Sequence, residues 1–218
     1  MASSSRVPNL RRVRRISLSL LALAPLTSAC GSSTLCDHSD PAGVSATGAL
    51  RAGDEEGSAV AALTDVRWEA PYRGALGESR LHIACKPGWL AVGLHGRADD
   101  EIDRLGLVCR FLAKGGGLED EDIVPAAGGE GGRSFLTTCP PGMAIAGLAG
   151  RAGDRLDRIQ LICDTLPGAT LYYANPVGGV GGSPFLDVAP NRHFLTGIIG
   201  RTDLHVRGIW ALYHKLAP

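Results

Sequence analysis

The chain has 218 residues, with 22 Lys and Arg against 22 Asp and Glu, 44% hydrophobic residues, 5% aromatics, 30 Gly, 13 Pro and 6 Cys. That length suits one domain with appendages or two small ones, and the apolar fraction is enough for a core, which excludes wholesale disorder. The formal charge of zero hides an uneven distribution: five arginines and no acid fall within residues 1–29, leaving 17 basic against 22 acidic residues, a net of −5, for the remainder. A nucleic-acid binder needs clustered cations to displace phosphate counterions, so the composition disfavours that class.

Arg11 to Arg15 form a basic stretch, followed by an apolar run from Ile16 to Leu26 that Pro25 interrupts, and then by the small residues Thr27, Ser28 and Ala29. The run is too short to span a bilayer stably, and the layout over 1–29 is that of a secretory signal. Cys30 comes next, with Gly31, Ser32 and Ser33. This junction resembles a bacterial lipoprotein signal, although Thr27 stands where that pattern carries Leu. The resemblance implies export, lipidation of Cys30 and, from Gly31, an outer-membrane destination. Ordinary secretion is the alternative, in which case Cys36 is available to pair with Cys30. Residues 30–70 are rich in Ala, Gly, Ser, Asp and Glu without a sustained apolar period, as in a flexible acidic tether; Val60 to Trp68 has the option of adding a strand to the domain beyond it.

Beyond the tether the sequence repeats. The pairs Gly96-Arg97, Gly150-Arg151 and Gly200-Arg201 anchor three ungapped copies, roughly 74–112, 128–166 and 178–216. Twenty-two residues before the anchor glycine stand Gly74, Gly128 and Gly178, the last two opening GGEGG and GGVGG. Three before it are Gly93, Gly147 and Gly197, six after it Ile102, Leu156 and Val206, and nine after it Leu105, Ile159 and Ile209. Each copy reads as β structure: short apolar runs such as Trp89 to Leu94 are bounded by Gly and Pro. Leu105, Leu107 and Cys109 alternate as in a half-buried strand, and so do Ile159, Leu161 and Cys163. A unit of about 40 residues cannot bury its own apolar face, whereas three around a pseudo-threefold axis can.

Cys85 and Cys109 lie eleven before and thirteen after the first anchor, and Cys139 and Cys163 occupy the same offsets in the second. Facing residues at the open end of a hairpin offer the Cα separation of roughly 5.5 Å that a disulfide needs, so the pairs expected are Cys85–Cys109 and Cys139–Cys163. The third copy has Ala189 and Tyr213 there, a small and a large residue able to fill the same space by packing. No Cys-x-x-Cys occurs and the histidines lack ligand spacing, so neither metal nor cofactor is expected.

GGEGGRSF (128–135) followed by GRAGDRLDRI (150–159) resembles the jacalin-related lectins, and the cysteine pattern is similar to that of the vitelline membrane outer-layer protein. The resemblance implies an all-β fold, a β-prism of three four-stranded Greek-key sheets with pseudo-threefold internal repeats over 71–218. It also implies carbohydrate as partner, bound without metal by a Gly-x-x-x-Asp turn and a glycine-rich loop. Carried over residue by residue, the turn is Gly153, Asp154, Arg155, Leu156 and Asp157, and the loop is either Gly128 and Gly129 or Gly178 and Gly179. In the first copy Asp103 matches but Asp99 replaces the glycine. In the third, Arg207 replaces the aspartate and Asp203 the glycine, so no sugar is expected there. A carboxylate accepting from vicinal hydroxyls, with glycines allowing close backbone approach, gives this motif its chemistry.

Two other classes stay open on the residues. In one the domain is a non-catalytic structural or interaction module of the cell envelope, with Asp103 and Asp157 capping turns or pairing with arginines. In the other, Asp99, Asp100, Glu101 and Asp103 serve a glycan-modifying enzyme. An exposed acidic turn is a poor place to raise one carboxyl pKa, so no catalytic residue is assigned. Trp68, Trp89 and Trp210 are expected to pack, and His95, His193 and His205, at unrelated offsets, read as surface variation.

Overall fold

The computed structural model describes residues 62–166 and 168–218. The signal, Cys30, Cys36 and most of the tether lie outside the described residues. Among those described, every regular element is a β-strand. The strands β1 (Leu63–Glu69), β2 (Arg73–Gly74) and β3 (Ser79–Ala84) precede a first hairpin, β4 (Trp89–Ala98) and β5 (Ile102–Leu112). After β6 (Leu118–Gly128) and β7 (Arg133–Thr138) comes a second hairpin, β8 (Met143–Ala152) and β9 (Leu156–Thr165). Then β10 (Leu171–Tyr173), β11 (Val177–Gly178) and β12 (Ser183–Val188) lead to a third, β13 (His193–Thr202) and β14 (Val206–Leu216).

Each hairpin is the centre of one sheet. The strand orders are β1-β14-β13-β3, β6-β5-β4-β7 and β10-β9-β8-β12, with the two-residue strands β2 and β11 added on β14 and β9. A meander whose fourth strand returns beside the first is the Greek key; the second and third sheets have it, and the first has the same spatial order assembled from strands at both ends of the described chain. The sequence period and the sheets are offset by one strand: β3, β7 and β12 open a sequence unit, yet β7 and β12 pair with the hairpin of the unit before, and β3 pairs with the last hairpin. The first sheet therefore joins β1 to β3 with β13 and β14 from the far end of the chain.

The repeat extends to irregularities. All three hairpins shift register before Gly93, Gly147 and Gly197, and again after Arg97, Arg151 and Arg201. At Gly96, Gly150 and Gly200 an added Cβ would run into the carbonyl oxygens of Arg104, Arg158 and Gly208 on the facing strand. Only glycine permits that approach, which explains its presence in all three copies.

Inward-facing residues from the three sheets form one core, in which Leu94, Leu148 and Ile198 are joined by Ile102, Leu156 and Val206 and by Leu105, Ile159 and Ile209. A second cluster, including Leu90, Ala144 and Phe194, closes the end where the hairpins begin. The tryptophans pack as expected: Trp68 against Tyr213 at 5.3 Å between ring centroids, Trp89 against Phe111 at 5.9 Å and Trp210 against Tyr72 at 4.1 Å.

The disulfides are Cys85–Cys109 and Cys139–Cys163, with Cα separations of 5.8 and 5.7 Å. Their geometry differs from the hairpin expectation. Cys85 follows β3 of the first sheet and Cys109 lies in β5 of the second, while Cys139 follows β7 of the second and Cys163 lies in β9 of the third. Each bond thus ties neighbouring sheets across a seam; because the opening strand of a copy belongs to the preceding sheet, equal offsets in sequence become a contact between sheets. At the remaining seam Ala189 and Tyr213 are both buried in the core. The same seam carries an ion pair: Arg73 Nε and Nη2 in β2 donate to Asp187 Oδ2 and Oδ1 in β12 at 2.9 and 2.5 Å, and the Arg73 guanidinium sits 5.5 Å from the Phe185 ring centroid.

Asp187 is 6% exposed, so removing its partner strands a buried charge. Arg73→Ala is expected to lower stability by about 2–3 kcal/mol, the partial exposure of Arg73 keeping it below the cost of a fully buried pair. Denaturant titration of the variant against the parent measures it.

Candidate functional site

The three hairpin turns, 99–101, 153–155 and 203–205, gather with the glycine-rich loops 74–78, 128–132 and 178–182 at the end opposite the Leu90 cluster. Each loop rests on the strand that leaves the turn in its own sheet. Gly129 N–H donates to Asp103 O at 2.8 Å, Gly179 N–H to Asp157 O at 2.9 Å, and Ala75 N–H to Arg207 O at 3.0 Å. The loop that serves Asp157 is therefore 178–182, with Gly178 at φ +100°, and Gly128 and Gly129 serve Asp103 instead. The loops also lean across the seams. An added Cβ at Gly129 would strike the carbonyl of Leu204, and one at Gly179 the backbone of Asp100.

The anchor arginines hold these loops. Arg97 donates from Nε and Nη2 to the carbonyls of Gly131 and Gly132 at 2.7 and 2.6 Å, and Arg151 does the same to Gly181 and Gly182 at 2.7 and 2.6 Å. The fork of a guanidinium matches two successive carbonyls, a task a lysine cannot perform. The third loop has a different tie: the Tyr72 hydroxyl donates to Ala75 O at 2.5 Å.

On this common frame the three positions diverge. Asp103 is buried, its carboxylate wedged beneath Gly131 and Gly132 and only 2.9 Å from His205 Nδ1, which also lies 3.2 Å from Glu101 Oε2; neither contact is an aligned hydrogen bond. The first position is thereby filled from within. This corrects the exposed acidic turn expected from sequence: Asp99 and Asp100 are exposed, but Glu101 and Asp103 turn inward. At the third position Arg207 has its Nε 3.6 Å from Asp203 Oδ2.

The second position is open. A polar cleft of ≈ 310 Å³ is lined by Gly153, Asp154, Arg155 and Asp157 of its own turn, by Gly182 of its loop, by Glu101 of the second sheet and by Arg207 of the first. Arg155 pairs with Glu101. Asp157 Oδ2 is buried and accepts no hydrogen bond. Burial pushes the Asp157 carboxyl pKa up, the negative charge of Glu101 adds to this, and the backbone hydrogen bond from Gly153 and the charge of Arg151 work in the opposite direction. Gly153 lies at the rim, where an added Cβ would be 3.3 Å from Gly182 Cα. Leu156, in the middle of the expected motif, is fully buried in the core and presents no side chain to the cleft. Two grooves, ≈ 380 Å³ beside Cys85 and Trp89 and ≈ 230 Å³ beside Cys139 and Met143, occupy equivalent places at the two disulfide seams, so they recur with the fold. Among the described residues no three His, Cys, Asp or Glu side chains converge as a metal-ligating group.

From the sequence, Glu101 and Arg207 stand only within their own turns, not beside Asp157, and His205 reads as surface variation. The signal available was positional: Glu101, Arg155 and His205 all stand five residues after an anchor glycine, and so had to meet around the pseudo-threefold axis. Of the other histidines, His95 Nε2 lies 2.8 Å from Val124 O and His193 is buried, so neither is surface variation.

No protein-family model and no curated protein matches the chain. Solved structures do. The banana lectin structure is 17% identical with a TM-score of 0.52, the match covering 68% of this chain and 98% of that one. The fold is the β-prism of the jacalin-related lectins. The Calystegia sepium lectin Calsepa, in complex with a biantennary N-glycan, is 16% identical with a TM-score of 0.53, covering 71% of this chain and 99% of its own. A mannose-specific jacalin-related lectin from Morus nigra, in complex with mannose, is 15% identical with a TM-score of 0.53, covering 69% and 96%.

If the arginine fork orders the loop of the open position, Arg151→Lys keeps the charge and loses the paired contact. Amide hydrogen exchange over 178–182 is expected to speed up about tenfold or more in this variant, corresponding to the loss of roughly 1.5 kcal/mol of local protection, with exchange in β4 and β5 unchanged.

Proposed function

We infer that the protein is an exported, non-catalytic carbohydrate-binding protein that holds sugar hydroxyls at the Asp157 turn, with the 178–182 loop as the second wall and no metal. The observation that carries this reading is the half-buried Asp157 carboxylate in the wall of an open polar cleft, one of its oxygens accepting nothing from the protein. A carboxylate on the wall of a polar cleft is a strong acceptor for vicinal sugar hydroxyls, through charge-assisted hydrogen bonds. The lectins of the same fold named above include structures with mannose and with an N-glycan. A non-catalytic role is supported by the acidic turn, whose Glu101 pairs with Arg155 and whose Asp103 lies against His205, so that neither stands free as a catalytic acid. The basic and apolar residues of 1–29 and the Cys30 junction support export and a lipid anchor, which would place the lectin domain at the outer membrane on a tether.

On a glycan array followed by calorimetry, wild-type protein should bind at least one glycan class, and Asp157→Asn should weaken it tenfold or more. Binding that is absent, or indifferent to Asp157, removes the reading. The ionised carboxylate is the acceptor, and its pKa is raised, so affinity should fall on acidification at a higher pH than an ordinary aspartate would give. The sign for stability is opposite: a raised carboxyl pKa favours the protonated folded state, and stability from this group declines as pH rises from the ordinary aspartate value to that raised pKa.

For the anchor, mass spectrometry of the mature protein should find an N-terminal Cys30 carrying acyl chains. An unmodified Cys30, or cleavage elsewhere, rules the anchor out and leaves secretion.

A further inference from the structure

Pseudo-symmetry shows what each carboxylate position at the turn end has in front of it. Asp103, Asp157 and Arg207 stand at one offset from the anchor glycines, and Glu101, Arg155 and His205 at another. Because Gly129 leans on Leu204 and Gly179 on Asp100, the turn bearing His205 faces Asp103, and the turn bearing Glu101 faces Asp157. At the first position an acid therefore meets a base, with His205 Nδ1 2.9 Å from Asp103 Oδ1. At the second position Asp157 faces Glu101, which is already paired with Arg155, and no nitrogen donates to Asp157 Oδ2.

The other charges around the cleft do not supply one. Arg155 is tied to Glu101 and Arg151 to the carbonyls of Gly181 and Gly182, while Arg207 lies 3.6 Å from Asp203 and its Nε makes no hydrogen bond. Asp157, with its unpartnered Oδ2, and the exposed Asp154 are left uncompensated. Resting on the sugar-binding reading, we propose that the cleft is selective for glycans carrying a free amino group, that is, non-acetylated hexosamine units. The ligand's ammonium takes between Asp157 and Glu101 the place that the His205 ring nitrogen takes between Asp103 and Glu101. The raised Asp157 pKa agrees: burial is its main cause and the charge of Glu101 adds to it, and a cation beside Asp157 would offset both effects. A sugar amine meets two carboxylates that have no ion-pair partner, Asp154 and Asp157, whereas a uronate would add a third beside them and find Arg155 already engaged by Glu101.

Calorimetry on the full chain with three trisaccharides of equal linkage tests this: β-1,4-linked glucosamine, its N-acetylated counterpart and the glucose counterpart. Near pH 6 the glucosamine trimer should bind tenfold or more tighter than the other two, as expected for a charge-assisted contact replacing a neutral one. The advantage should vanish in alkaline buffer, where the amine is neutral, and in Asp157→Asn once circular dichroism shows that variant folded. The pH comparison on the wild type decides the matter even if the variant does not fold. Equal affinity for all three trimers, preference for the acetylated one, or a preference that survives deprotonation overturns the amine proposal and leaves the sugar site standing. Folded wild type that binds none of the three, and no other glycan on the array, overturns both.

Discussion

No sheet of this protein can be buried by fewer than the other two. The inner faces meet along an axis where residues at one sequence offset become a layer, as with Leu94, Leu148 and Ile198 or Ile102, Leu156 and Val206. Burying each such side chain stabilises the fold by roughly 1.5–3 kcal/mol, and the whole of it depends on closing all three seams at once. The rest of the architecture is set by that closure. The opening strand of each copy pairs with the preceding hairpin, and β1 to β3 must meet β13 and β14 from the other end of the described chain. The Cys85–Cys109 bond, only 24 residues apart, fixes the end of β3 to the second sheet.

The same closure explains why backbone features repeat while polar side chains vary. Gly96, Gly150 and Gly200 face carbonyls across a hairpin in every copy, and no side chain fits there. The residues at the tips of the turns face one another and solvent, so they are free to differ as long as their charges balance. Two of the three positions have used that freedom to close themselves: His205 fills the space before Asp103, and Arg207 replaces the aspartate altogether. The asymmetry of charge is superimposed on a symmetric backbone, and it is the asymmetry that singles out Asp157.

Much of this is legible in the residues. The ungapped recurrence of glycines and apolar positions carries the threefold fold, and the matching cysteine offsets give the pairs. The hairpin account of the disulfides fails because sequence period and sheet differ by one strand, a shift that a set of offsets cannot reveal. Asp157 stands out in the sequence, with 178–182 as one of two candidate loops, yet so does Leu156, for its place in a motif, although its periodicity puts it in the core. His205 does not stand out because its own copy offers no comparable residue type; its meaning lies in what Glu101 and Arg155 do at the equivalent offset, and that contact is tertiary.

The cleft is built from all three sheets at once: Asp157 comes from the third, Glu101 from the second and Arg207 from the first. It does not exist in any one sheet or pair of sheets. Whatever occupies it therefore binds only the closed prism, and by mass action it adds its binding free energy to the closure itself. The seam between the third and first sheets has most to gain. It is held by packing of Ala189 with Tyr213 and by the Arg73–Asp187 pair where the other two seams have a covalent bond, and the Tyr213 hydroxyl is buried there without a partner. Arg207 belongs to the sheet on one side of that seam and Asp157 to the sheet on the other. A ligand bridging the two spans the one junction among the described residues that has no disulfide.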